Sequence, residues 1–239
     1  MISLLRVLVV IVPATVYYAF CIAWGVWRGG EKARCVCSYV PRAWSSLMLK
    51  AARVDVVLEN PEVIDEERPQ VLVANHTSWF DVLALAAHLP GPYAFVAKKE
   101  IAKVPFFGPA VGACGHIYID RGDRQAAMES LAVARQRLED DGPTVIMFPE
   151  GTRSASGELQ SFKKGAFVLA LQTGTDVVPA AIFGSRETMR KGSLLVRPGT
   201  IRVRFGTPIP VGDYSLEQRN ELTRDARAAL QEILVGSTP

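Results

Sequence analysis

Residues 71–89 read VLVANHTSWFDVLALAAHL. The first five, Val71 to Asn75, are apolar at nearly every position instead of alternating, which predicts a strand buried on both faces. From Val82 to Leu89 the pattern turns helical. Open α/β sheets bind ligands at the carboxyl ends of such strands, and His76 stands at that end with Asp81 five positions further on. Residues five apart on one helix do not share a face. The spacing therefore predicts that His76 precedes the helix and Asp81 lies one turn inside, its carboxylate reaching back to one ring nitrogen. The other nitrogen is then free to take a proton from a hydroxyl, which is the arrangement general-base catalysis needs. A lone pair of this kind is as often structural as catalytic.

Working outward, similar apolar runs recur at 93–97 (YAFVA), 116–119 (HIYI), 144–148 (TVIMF), 177–183 (VVPAAIF) and 201–205 (IRVRF). Helical patterns lie between and after them, at Arg124–Glu139, Ala166–Gln172 and Leu216–Leu234. Asp123 is placed to cap the first of these, Gly142 to stop it, and Ser215-x-x-Gln218 to open the last with a capping box. This order predicts an α/β fold, a largely parallel sheet covered by helices.

The chain has 239 residues with 27 Lys+Arg against 24 Asp+Glu, yet residues 1–50 hold six basic side chains (Arg6, Arg28, Lys32, Arg34, Arg42, Lys50) and one acid, Glu31. The rest is slightly acidic. That asymmetry excludes a general nucleic-acid-binding surface and points to an N-terminal device meeting anionic lipid. Val7–Trp27 runs 21 residues without a charge, about 31 Å as a helix at roughly 1.5 Å per residue, enough to span a bilayer. A second stretch, Cys35–Ala52, mixes Val40, Trp44, Leu47 and Met48 with Arg42 and Lys50, and predicts a helix lying at the lipid surface, an ordinary domain helix being the alternative. The expected division is 1–52, membrane-anchoring helices, and 53–239, an α/β catalytic domain. Arg28, Lys32 and Arg34 place that domain on the cytoplasmic face. The four cysteines show neither a disulfide framework nor zinc-ligand spacing and are expected to be reduced.

Three cations follow buried runs: Lys98 after YAFVA, Arg121 after HIYI, and Arg153 after TVIMF. At the sheet edge that carries His76 they suit phosphate oxygens. Taken singly, each is as well explained by an ion pair with a neighbouring acid.

Together these residues resemble a known family, the glycerolipid acyltransferases of the lysophosphatidate acyltransferase (PlsC) type. The resemblance is carried by Asn75-His76-x4-Asp81, by Lys98-Lys99-Glu100-Ile101 leading to Val104-Pro105-Phe106-Phe107-Gly108, by Gly115-x-Ile117-x-Ile119-Asp120-Arg121, by Phe148-Pro149-Glu150-Gly151-Thr152-Arg153-Ser154 with Phe162-Lys163-Lys164-Gly165, and by Val178-Pro179. It covers roughly residues 70–185. It implies that His76 is the catalytic base and Asp81 its partner, that Lys98, Arg121 and Arg153 bind the acceptor's phosphate, and that Glu150, Gly151 and Thr152 shape the acceptor pocket. Backbone N–H groups near Gly151 or at Ser78 are candidates to hold a developing oxyanion. The implied reaction moves an acyl group from acyl-CoA or acyl carrier protein to the sn-2 hydroxyl of 1-acylglycerol 3-phosphate (lysophosphatidic acid), giving phosphatidic acid at a membrane, with no metal or other cofactor. Two alternatives are the same machinery on a different acceptor (glycerol 3-phosphate, another lysophospholipid or a lyso-aminolipid) and a non-catalytic membrane lipid-binding protein.

Overall fold

The computed structural model describes residues 4–120, 122–142 and 144–236. Seven strands form one sheet: β1 (Val54–Glu59), β2 (Gln70–Ala74), β3 (Tyr93–Lys98), β4 (Ile117–Ile119), β5 (Thr144–Met147), β6 (Val177–Phe183) and β7 (Gly199–Phe205). Their order is β1-β7-β6-β2-β5-β3-β4, with every neighbouring pair parallel except β6 and β7. The predicted class, a largely parallel sheet covered by helices, is the observed one.

Alternation along β2 shows why that strand is apolar throughout. Val71 and Val73 face a core made with α5 (Arg124–Asp141), α6 (Gly165–Thr173) and α8 (Arg219–Val235). Leu72 and Ala74 face the other core, made with α3 (Phe80–His88) and the end of α2 (Gly30–Ala52). All four side chains are fully buried, each stabilising by roughly 1–3 kcal/mol according to size.

The local signals act as their chemistry requires. The Asp123 side chain accepts from the N–H groups of Gln125 and Ala126, and α5 ends at Gly142 in a left-handed conformation. At the last helix the Gln218 side chain accepts from the Ser215 N–H, but a 3-10 turn (Leu216–Gln218) comes first and regular α8 begins at Arg219.

α1 (Leu4–Arg28) is long and apolar enough to cross a membrane. Val9, Val12, Val16, Phe20, Trp24 and Trp27 stand exposed on it. It turns into α2 at Gly29 and Gly30, both at positive φ (66° and 59°), which L side chains rarely adopt.

The second half of α2 docks by one stripe, as the alternative of an ordinary domain helix has it: Met48, Leu49 and Ala52 are buried, the last two within the sheet's own core. One expectation needs correction: not all four cysteines are reduced. Cys37 and Cys114 form a disulfide, their Cα atoms 5.0 Å apart, while Cys21 and Cys35 are free. Packing brings α2 against α4 (Phe107–Ala113), where Trp44 and Phe107 also meet at 5.2 Å between ring centres. Partners 77 positions apart carry no spacing signal.

Candidate active site

His76 leaves the sheet just after β2, and α3 starts four residues later, so Asp81 sits in the first helical turn. Its carboxylate turns back on the loop. Asp81 Oδ2 takes the His76 Nδ1 at 2.8 Å, the Thr77 N–H at 2.7 Å and the Ser78 N–H at 2.9 Å, all from a fully buried position. Because the carboxylate accepts, Nδ1 carries the proton, leaving the Nε2 lone pair free. The Phe148 ring lies nearly parallel to the imidazole, 4.1 Å away, and fixes its plane. Asn75 secures the strand end before the histidine, exchanging two side-chain hydrogen bonds with the backbone of Ile182 in β6 at 2.9 and 2.7 Å.

The loop after β5 folds against this one. Glu150 is buried; its Oε1 accepts from the His76 N–H at 2.7 Å, and its Oε2 from the N–H and side-chain amide of Gln160. Burial pushes its carboxyl above the usual range, opposed by those hydrogen bonds. Ser154 N–H donates to the His76 carbonyl at 2.7 Å. The base-bearing and arginine-bearing loops are thus joined on both sides of His76.

An apolar cavity of about 390 Å³ opens beside the imidazole. His76, Trp79, Lys98, Gly151, Thr152 and Arg153 line it together with Val40, Pro41 and Trp44 of α2, Phe107 and Val111 of α4, and Tyr93 and His116. Burial, with Arg137 adding to it, holds the His116 imidazole down at about 4, and its Nδ1 accepts from the Phe95 N–H at 3.0 Å. The Arg153 guanidinium stands over the Trp79 ring, 5.0 Å from its centre. Lys98 Nζ lies 3.1 Å from Glu100 on an exposed stem.

Of the residues singled out from sequence, His76, Lys98, Gly151, Thr152 and Arg153 therefore share one cavity, with Asp81 behind the histidine. Glu150 lies under the loop as a tie between segments. Ser78 is fully buried, its hydroxyl donating to the Met189 carbonyl at 2.8 Å and accepting from the Phe80 N–H. Its backbone N–H is held by Asp81, and the Gly151 N–H by the Phe148 carbonyl at 3.0 Å. Arg121 lies outside the described residues. Trp79 and Gln160 carry no sequence signal because each acts through a contact made only on folding, and for the same reason the stacking of Phe148 on the imidazole was not legible from its motif.

The sequence profile of the family described as "Acyltransferase" matches residues 55–183, more than half of the chain. The chain belongs to the acyltransferase family. Among the family's curated proteins it is 36% identical over 168 residues to a 1-acyl-sn-glycerol-3-phosphate acyltransferase of Cocos nucifera, covering 69% of this chain and 54% of that one. To the protein of the same name from Salmonella typhimurium it is 30% identical over 162 residues, covering 68% and 65%. The chain spans about half the length of several curated relatives it matches. Among solved structures, the 1-acyl-sn-glycerophosphate acyltransferase PlsC from Thermotoga maritima superposes with a TM-score of 0.81 at 27% identity, covering 98% of this chain and 97% of that one. The acyltransferase match ends at Phe183, so β7 and α8 complete the fold beyond it.

Proposed function

We propose that this acyltransferase moves a fatty acyl group from a thioester, on coenzyme A or acyl carrier protein, to the sn-2 hydroxyl of 1-acylglycerol 3-phosphate, giving phosphatidic acid. The observation that carries the reading is the His76 imidazole, Nδ1 on Asp81 at 2.8 Å and Nε2 free, lining an apolar cavity large enough for a hydrocarbon chain. The names of the Cocos nucifera and Salmonella typhimurium relatives, both 1-acyl-sn-glycerol-3-phosphate acyltransferases, support the choice of acceptor.

In this mechanism Nε2 takes the hydroxyl proton as the oxygen attacks the thioester carbonyl. Asp81 holds the tautomer and stabilises the imidazolium that forms. Collapse of the tetrahedral intermediate breaks the C–S bond, and the imidazolium returns the proton to the departing thiolate. A thioester is already activated, so neither ATP nor a metal has a role. Arg153 and Lys98, with Arg121, hold the phosphate of the acceptor, Arg153 by the donor fork of a guanidinium that stands over Trp79.

The substrate's hydrocarbon tail explains the N-terminal helices. Drawing a lipid chain into water costs about 0.8 kcal/mol per CH2, and apolar side chains of α1 stand exposed among the described residues. In this reading α1 inserts in the bilayer, Arg28, Lys32 and Arg34 stay with the anionic cytoplasmic leaflet, and the cavity, walled by α2, opens beside the lipid.

The test is purified protein in detergent, given a panel of lysolipid acceptors with acyl-CoA and acyl carrier protein donors, beside His76→Ala. Phosphatidic acid is expected from wild type alone, with both proteins folded and bound to vesicles. Equal turnover by the variant would remove His76 from the chemistry; turnover only with an acceptor lacking a phosphomonoester would replace the substrate.

A further inference from the structure

Just past the family match the chain forms α7 (Ser185–Thr188) and an irregular loop before β7. This segment grips both loops of the site. On the histidine side, Ser185 Oγ lies 2.9 Å from Thr77 Oγ1, and the Met189 carbonyl accepts from the Ser78 hydroxyl. On the arginine side, Arg186 donates Nε and Nη2 to the Ala155 carbonyl at 3.2 and 3.0 Å. Lys191 then reaches back 38 positions, donating from Nζ to the Arg153 carbonyl at 2.8 Å and to the Thr152 hydroxyl at 3.3 Å.

Lys191 is the informative member. An exposed lysine commonly pairs with a carboxylate, to little effect; this ammonium instead meets two neutral oxygens of the loop that carries Arg153. Charge-assisted hydrogen bonds of this kind are roughly twice as strong as neutral ones. They also hold the main chain at Arg153 from the side opposite His76, whose carbonyl already takes the next N–H, that of Ser154. With the backbone pinned on both sides, the guanidinium has a fixed root from which to lie on Trp79.

We propose that Lys191 is a positioning residue for acceptor binding: it locks Thr152 and Arg153 so that the guanidinium meets the phosphate of the incoming lysolipid. The inference rests on the acyltransferase reading above.

Steady-state kinetics of the full chain in detergent test it, with lysophosphatidate and the thioester donor varied separately for wild type, Lys191→Ala and Lys191→Arg. Expected for Lys191→Ala is a rise of about tenfold in the acceptor KM, with kcat within about twofold, the donor KM unchanged and the melting temperature unmoved. Lys191→Arg, which keeps charge and donors, is expected to recover most of the loss. An unchanged acceptor KM, a fall in kcat with no change in KM, or failure of arginine to rescue would overturn the proposal. The wild-type arm tests the underlying reading separately. If wild type acylates no lysolipid, amide hydrogen exchange at residues 152–155 still decides the positioning role: faster exchange in Lys191→Ala supports it and unchanged exchange rejects it.

Discussion

The main-chain N–H of His76 donates to the side-chain carboxylate of Glu150 at 2.7 Å, from a residue 74 positions further along the chain. The candidate base is therefore held twice, its ring by Asp81 and its backbone by Glu150. Since Glu150 also takes two donors from Gln160, one buried carboxylate joins three segments of chain around the site. In the proposed mechanism its part is indirect: it keeps the imidazole where an incoming hydroxyl can meet it.

Glu150→Ala tests that tie. Removing the carboxylate leaves the His76 and Gln160 N–H groups without their acceptor, and a misplacement on the order of 1 Å can lower turnover by about 10²-fold. Kcat is expected to fall by about that factor, read by thiol release from the donor, while thermal melting still shows a folded protein. Wild-type kcat would mean that the tie is dispensable.

Gly151 is tested by Gly151→Ala. The backbone there sits at φ +73°, and a Cβ would come within 2.7 Å of the Lys163 Cε. The lysine end can move aside, so the backbone conformation dominates the cost, roughly 1–2 kcal/mol. The loop is expected to relax, raising the acceptor KM and lowering the melting temperature by a few degrees. A variant with unaltered KM and melting point would show that the loop tolerates a side chain.

His116 predicts how stability depends on pH. Its imidazole titrates at about 4 in the fold against an ordinary value of 6.5, chiefly through burial. The unfolded chain then binds a proton that the folded chain refuses, so this contribution to stability is whole above pH 6.5 and is lost as the pH falls toward 4. His116→Asn keeps an acceptor for the Phe95 N–H and removes the titration. Between pH 6.5 and 4 the variant's denaturant midpoint is expected to fall less steeply than that of wild type; parallel curves would place the acid sensitivity elsewhere.

Cys37→Ser and Cys114→Ser examine the covalent link between α2 and α4. A cross-link between residues 77 apart stabilises by roughly 4 kcal/mol in the chain-entropy account, an upper figure where the reduced chain keeps structure. Each variant is expected to melt lower than oxidised wild type and to match wild type treated with reductant. If reductant leaves wild-type melting unchanged, the bond contributes nothing under those conditions.

Much of this was legible in the chain itself, for identifiable reasons. Strands β2, β5 and β6 announce themselves because both faces of each are covered, so nearly every residue is apolar. β1 escaped notice: VDVVLE lies at the sheet edge, with Asp55 exposed and Glu59 paired to Arg202 and Arg204 of β7. α4 was hidden by composition, since FGPAVGA has glycine, proline and alanine where a helix is usually marked by larger side chains. At the site, His76 and Asp81 could be paired because their contact is local. The contacts of Glu150, Phe148 and Lys191 could not, because they join loops brought together only when the sheet forms. The Cys37–Cys114 bond was illegible for the same reason.

One feature of the sheet sets what may vary. β2 and β5 run side by side in parallel register, Val73 opposite Met147, so both loops emerge at the same height. A slip of two residues, the least that keeps each side chain on its face, would shift one loop by roughly 6–7 Å and part every bond between them. The two strands thus act as a gauge whose length no redesign can alter, whereas the helices flanking the cavity offer room for change.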